Sequence, residues 1–264
     1  DWSVAASMVR YALPLIPTNI FWWITNASDA FFIAYYLGQG ANGLLTVAYK
    51  VPTIINLLAG IFSDAWQLSA FTEDQQGRTR FFSNVFASYQ ALIFTSASGL
   101  ILLCKWINRI LAYGEYYESW RFIPVLLLAT SFSCLVSFLG TIYMLEKKSF
   151  ATLVTTALGA GINIILNMTL IPNFGVQGGV VATLAGYLVV FTVRIIDTRR
   201  IVPLHWHPFK LLLNLALLGV QTYILLTFET GWLLPEIGLC LVVTALNFRL
   251  LLQNVQRLLM RRRS

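Results

Sequence analysis

Apolar residues in this chain fall in runs of roughly 20 separated by short polar punctuation. That is the length a helix needs, at about 1.5 Å per residue, to cross a hydrocarbon core about 30 Å thick. Backbone groups in lipid need partners within their own segment, so each run predicts a helix. The runs predict about eight transmembrane helices, near residues 8–36, 43–71, 81–105, 119–145, 149–171, 177–197, 209–228 and 232–254. All connections are short. The longest, Trp106 to Ser119, holds Tyr113, Tyr116 and Tyr117, aromatics that favour a water interface.

Counting Lys and Arg on alternating sides of these helices places thirteen on one side, among them Arg10, Arg78, Arg80, Arg194, Lys210, Arg257 and Arg261–Arg263. The other side has three, Lys105, Arg109 and Arg121, and Lys50 and Arg249 fall inside helices. The positive-inside rule makes the first side cytoplasmic, so both ends of the chain are expected there. Losing or adding one helix would scramble the bias.

Polar residues inside the apolar helices are not scattered at random. In the second helix Lys50, Thr53, Asn56, Gly60, Ser63, Asp64 and Gln67 share one face about 140° wide. Thr152, Thr156, Gly159, Asn163 and Asn167 do so in the fifth, and small residues Gly179, Ala182, Thr183 and Gly186 line the sixth. The third (Asn84, Ser88, Thr95, Ser98, Gly99) and fourth (Thr130, Ser133, Ser137, Thr141) carry weaker stripes that serve as packing surfaces. The second helix stands apart, because an ionisable group at mid-bilayer costs about 2.5 to 3.5 kcal/mol and usually faces a cavity or the bundle interior. In a hairpin, Asp29 and Lys50 lie at matching depth, about 12 Å below the outer turn. They are expected either to pair or to bind a charged ligand jointly. In the seventh and eighth helices Asn214, Gln221, Thr222, Thr244, Asn247 and Arg249 form no long stripe, so these two are expected to be peripheral, with Arg249 snorkelling to the interface. The chain then divides into a six-helix lobe, residues 1–200, and two further helices with a basic tail, residues 201–264.

Composition agrees with an all-α integral membrane protein: 58% of residues are hydrophobic and 11% charged, against about 25% charged in soluble domains. The net charge of +7 belongs to the short loops and the Arg261–Arg263 tail, which suit anionic lipid surfaces better than nucleic acid. Cys104, Cys134 and Cys240 are odd in number and lie in or beside apolar runs, so they predict neither disulfides nor a metal site. His205-Trp206-His207 lacks further ligands, and no phosphate-binding Gly-rich loop is present. No catalytic residue, metal or cofactor is expected; Glu115, Glu118 and Arg121 read as interface residues at a helix start.

The segment Asn163-Ile-Ile-Leu-Asn167-Met-Thr-Leu-Ile-Pro172-Asn-Phe-Gly175-Val-Gln-Gly178-Gly179-Val-Val-Ala-Thr183 resembles a signature of polysaccharide and oligosaccharide flippases, part of the multidrug and oligosaccharidyl-lipid exporter superfamily. Leu13-Pro14-Leu-Ile-Pro17, Asp29, Leu37-Gly38, Ala48-Tyr49-Lys50-Val51-Pro52 and Tyr113-Gly114-Glu115-Tyr116 resemble further family segments in the same order. Gly179 stands where the family usually has Ala, and a front half is missing. The resemblance implies the carboxy-terminal lobe of a MATE-like flippase fold, helices seven to fourteen of fourteen, with two peripheral helices. It implies flipping of polyprenyl-diphosphate-linked oligosaccharides across a bacterial inner membrane, for O-antigen, lipopolysaccharide or exopolysaccharide synthesis. The partners implied are the lipid-linked oligosaccharide, membrane lipids, a missing amino-terminal lobe and glycan polymerase or export machinery.

On that resemblance, Lys50 would meet the diphosphate or an acidic sugar, and Asp29 and Asp64 would tune it or bind a coupling cation. Asn56, Gln67, Asn163 and Asn167 would line the cavity. Pro14, Pro17, Pro172, Gly175, Gly178, Gly179 and Thr183 would be structural, with Pro172 ending a helix before an outer turn. Two alternatives stay open: a drug or metabolite antiporter of the same superfamily, and a membrane glycosyltransferase or polymerase.

Overall fold

Proline sets where the first two predicted helices break. In the computed structural model, which describes residues 2–72, 75–203 and 206–261, α1 (Trp2–Ala12) stops before Pro14 and α2 (Leu15–Leu37) starts after it. Side chains at 5, 7, 67–72, 75–78, 251 and 253–261 are outside the described set. Pro17 sits in the first turn of α2, where a missing N–H costs no intrahelical bond. Gly38, at φ +87°, ends α2 and turns the chain into α3 (Gln39–Ala48).

One continuous helix was expected over 43–71. The structure corrects this to two, α3 and α4 (Thr53–Thr72), bent by 44° at the break. Pro52 is the cause: it has no N–H, and in a continuous helix its ring would strike the carbonyl of Ala48. The chain crosses the break on shorter bonds, Lys50 N–H to Val47 O and Ile54 N–H to Val51 O, both 3.1 Å.

The third predicted helix extends well past 81–105 to become α5 (Gln75–Leu111). A 3-10 segment, Gly114–Arg121, occupies the predicted start of the next helix and moves that start to Ile123. There follow α6 (Ile123–Leu145), α7 (Ser149–Phe174), α8 (Val176–Thr198), α9 (Pro208–Thr227) and α10 (Leu233–Arg261). Pro172 does not end α7 as expected; it lies inside the last turn, and the helix stops at Gly175, whose φ of +62° favours a residue without Cβ.

The described residues are 89% helical, with no strand among them. Among the described residues, six helices are long and apolar enough to cross a membrane, and the bent α3–α4 pair makes seven if it counts as one span. It is a multi-pass membrane protein. The first expected span, 8–36, is α2, which has the length, 23 residues, but carries Thr18, Thr25, Asn26, Ser28 and Asp29.

The centre is α6, whose most apolar stretch is 83% buried, with α8 and α5 against it. Trp66 of α4, Phe86 and Tyr89 of α5 and Phe138 of α6 form one aromatic core, with ring centroids 4.5 to 5.4 Å from Phe138. On the other flank α7 packs between α2 and α8. Gly178 makes that possible, since a Cβ there would collide with the backbone of Leu170. The last two helices, α9 and α10, lie along α5.

Candidate functional site

Period-3.6 geometry puts Ser28 and Asp29 on the side of α2 that meets α7, and Asn163 and Asn167, one turn apart, on the side of α7 that meets α2. The outcome is a buried polar cluster around one carboxylate. Asp29 has no exposed surface. Its Oδ1 accepts from Asn167 Nδ2 at 2.7 Å and Asn163 Nδ2 at 3.1 Å. Its Oδ2 accepts from the Tyr49 hydroxyl at 2.9 Å and from the Thr183 hydroxyl of α8. Ser28 Oγ donates to Asn163 Oδ1 at 2.5 Å.

Four donors from three elements therefore meet one buried carboxylate. Among the described residues, no Lys or Arg forms an ion pair with it. Burying a lone carboxylate is costly unless its lone pairs are filled by hydrogen bonds, and here they are. Asn167 Oδ1, also buried, has no donor. The cluster can hold one negative charge in the interior, and its oxygens can receive a proton or a small cation.

The pair expected between Asp29 and Lys50 does not form. Tyr49 at the α3–α4 break reaches inward to Asp29, while Lys50, the next residue, is exposed. One residue is about 100° of helical rotation, so neighbours at one depth point apart. Beyond the break the same outward face continues through Thr53, Asn56, Gly60 and Asp64, all exposed, with Ser63 half-buried. Asn56 Oδ1 lies 3.7 Å from the Cys134 thiol of α6. The side chain of Gln67 lies outside the described set, as do His205, Arg262 and Arg263 and the side chains of Arg78, Arg257 and Arg261. The predicted site residues thus separate into a buried group (Asp29, Asn163, Asn167) and an exposed stripe (Lys50, Asn56, Asp64). Thr183, expected to be structural, belongs to the first.

Two buried networks escaped the sequence reasoning. Arg194, counted with the loop charges, is 1% exposed: its guanidinium donates to Thr155, Thr156 and the Val136 carbonyl at 2.9 to 3.0 Å. In α9, Gln221 joins Ser98 of α5 (2.8 Å) to Glu236 of α10 (2.9 Å), and Asn214 meets Asn247 at 2.8 Å. Asn214 and Gln221 are seven residues apart, as are the buried Leu211, Leu218 and Leu225, so a shared face was readable. In the 3-10 segment ahead of α6, Arg121 pairs with Glu118 at 2.7 Å on the surface.

Neither a protein-family model nor a curated protein matches the sequence. Among solved structures the chain is similar to the lipid II flippase MurJ in an inward closed conformation. The TM-score is 0.62 at 19% identity, over 94% of this chain and 54% of that one. It is also similar to an outward-facing multidrug resistance MATE family transporter of the MOP superfamily, with a TM-score of 0.53 at 16% identity, over 91% of this chain and 63% of that one. The chain shares the fold of these transporters and spans about half the length of the first.

Proposed function

We propose that this chain is one lobe of a flippase for polyprenyl-diphosphate-linked oligosaccharides in a bacterial inner membrane, with both of its ends cytoplasmic. The observation that carries this is the exposed polar stripe that runs from the α3–α4 break along α4. A face bearing Lys50, Thr53, Asn56 and Asp64 on a membrane helix is unsuited to lipid and fits a watery cavity shared with a second lobe. The length of the MurJ chain, about half of which this protein matches, supports that companion lobe. Within the cavity, Lys50 meets the diphosphate or an acidic sugar, and Asp64 and Asn56 hydrogen-bond the glycan.

The Asp29 cluster lies behind that face, joined to it through Tyr49. A proton or cation exchanged at Asp29 would change the hold on Tyr49 at the bend, which gives a route from ion binding to the cavity wall. The test is glycan export in cells carrying the complete transporter with Lys50→Ala: export should fall severalfold at unchanged protein level. Wild-type export at normal level would remove Lys50 from the substrate path. The MATE neighbour supports a second reading, export of a small drug. Drug resistance conferred by the chain without any change in surface glycan would favour it.

A further inference from the structure

A second feature of the chain lies away from the α3–α4 stripe, where α5 and α9 begin and α10 nears its end. These three helices splay there around a cleft of about 1100 Å³. Arg80 of α5, Lys210 of α9 and Arg249 of α10 line it, one cation from each wall, together with His207 ahead of α9. Among the described residues no carboxylate lines it. Between the cations α5 presents the polar side chains Thr79, Ser83 and Asn84, while Phe209, Leu246 and Leu250 make the α9 and α10 walls apolar. Deeper in, Gln90 also lines the cleft; it is 6% exposed, and its buried Nε2 has no acceptor. Ten residues separate Arg80 from Gln90, so donors extend about 15 Å along α5 from the cationic mouth.

We propose that this cleft binds the phosphate head group of an anionic membrane phospholipid from the leaflet to which the charge bias assigns these helix ends. Cations drawn from three helices converge on one cleft, and basic pockets between membrane helices on the cytoplasmic side select such head groups. The orphan Gln90 donor marks a place for a phosphate or glycerol oxygen below the charged mouth. Apolar walls receive the first segments of the acyl chains. Arg249, expected only to snorkel, gains a ligand by the same geometry. The inference stands without the flippase proposal, because it uses none of the stripe residues.

The experiment is native mass spectrometry of the delipidated protein in detergent, titrated with phosphatidylglycerol, cardiolipin, phosphatidylcholine of matched chains, polyprenyl diphosphate and inorganic pyrophosphate. One phosphatidylglycerol or cardiolipin per chain should bind at least tenfold more tightly than phosphatidylcholine. Arg80→Gln with Arg249→Gln should lower that affinity about tenfold, and Gln90→Leu severalfold. The charge-preserving pair Arg80→Lys and Arg249→Lys should retain binding and serves if the neutral variant fails to fold. Retention of polyprenyl diphosphate alone would identify the carrier lipid as the source of the phosphate and overturn the phospholipid assignment. Pyrophosphate binding as tightly as the lipids, phosphatidylcholine binding equally well, or affinities unmoved by the neutral substitutions would overturn it as well.

Discussion

Replacing Asn167 by Leu keeps the approximate volume of the side chain and removes the shortest amide bond to Asp29, 2.7 Å. It also removes the Asn167 contacts to Ser28 Oγ at 3.3 Å and Asn163 Oδ1 at 3.2 Å. Neither Asn167 nor Asp29 has exposed surface, so water cannot supply the missing donor. A hydrogen bond to a charged group contributes about 1.5 to 3 kcal/mol, and the expected loss is about 2 to 3 kcal/mol. At about 2 to 4 °C per kcal/mol for a domain of this order of size, the melting temperature should fall by about 4 to 12 °C. Buried Cys104 and Cys134 provide the readout: a thiol-reactive fluorogenic dye reports their exposure on heating, with half-buried Cys240 replaced by Ser to lower the baseline. The decisive arm repeats Asn167→Leu in an Asp29→Asn background. With the charge gone, the same substitution should cost at least about 1 kcal/mol less, because interacting pairs depart from additivity. Losses that add within about 0.5 kcal/mol would refute the assignment of the Asn167 amide to the Asp29 carboxylate.

Other outcomes follow from the same geometry. Lys50→Ala, at an exposed position, should shift stability by less than about 0.5 kcal/mol while export falls, which thermal melts and a surface-glycan assay together check. Gly178→Ala puts a Cβ against the Leu170 backbone and should destabilise by about 1 to 3 kcal/mol, read as a lowered melting temperature. Gln221→Leu leaves the buried Glu236 without its amide donor and should cost about 1.5 to 3 kcal/mol. Limited proteolysis of that variant should release α9 and α10 before the remaining helices; simultaneous cleavage throughout would count against Gln221 as the link to α5.

Much of the architecture was legible because the membrane simplifies the problem. A bilayer admits few backbone solutions, so hydrophobic runs located the spans, and residues 149–171 and 177–197 match α7 and α8 closely. Breaks were harder. Pro52 and Pro172 look alike as letters, yet one interrupts a helix and the other rides in a last turn. A proline removes one hydrogen bond wherever it stands, and whether the helix survives depends on how near its end already lies.

Periodicity put Asn163 and Asn167 on one polar face, and the rise per residue set the depth of Asp29. Neither could decide which neighbouring helix would cover each face, since rotation about one helix axis carries no record of another. Packing of α2, α7 and α8 decided that Asp29 turns to the asparagines and Thr183, and the bend at Pro52 brought Tyr49 to it. Depth along the membrane was a property of the chain, set by 1.5 Å per residue. The partner was a property of the fold: about 100° of rotation from Tyr49 to Lys50 sent one side chain into the core and the other to the surface.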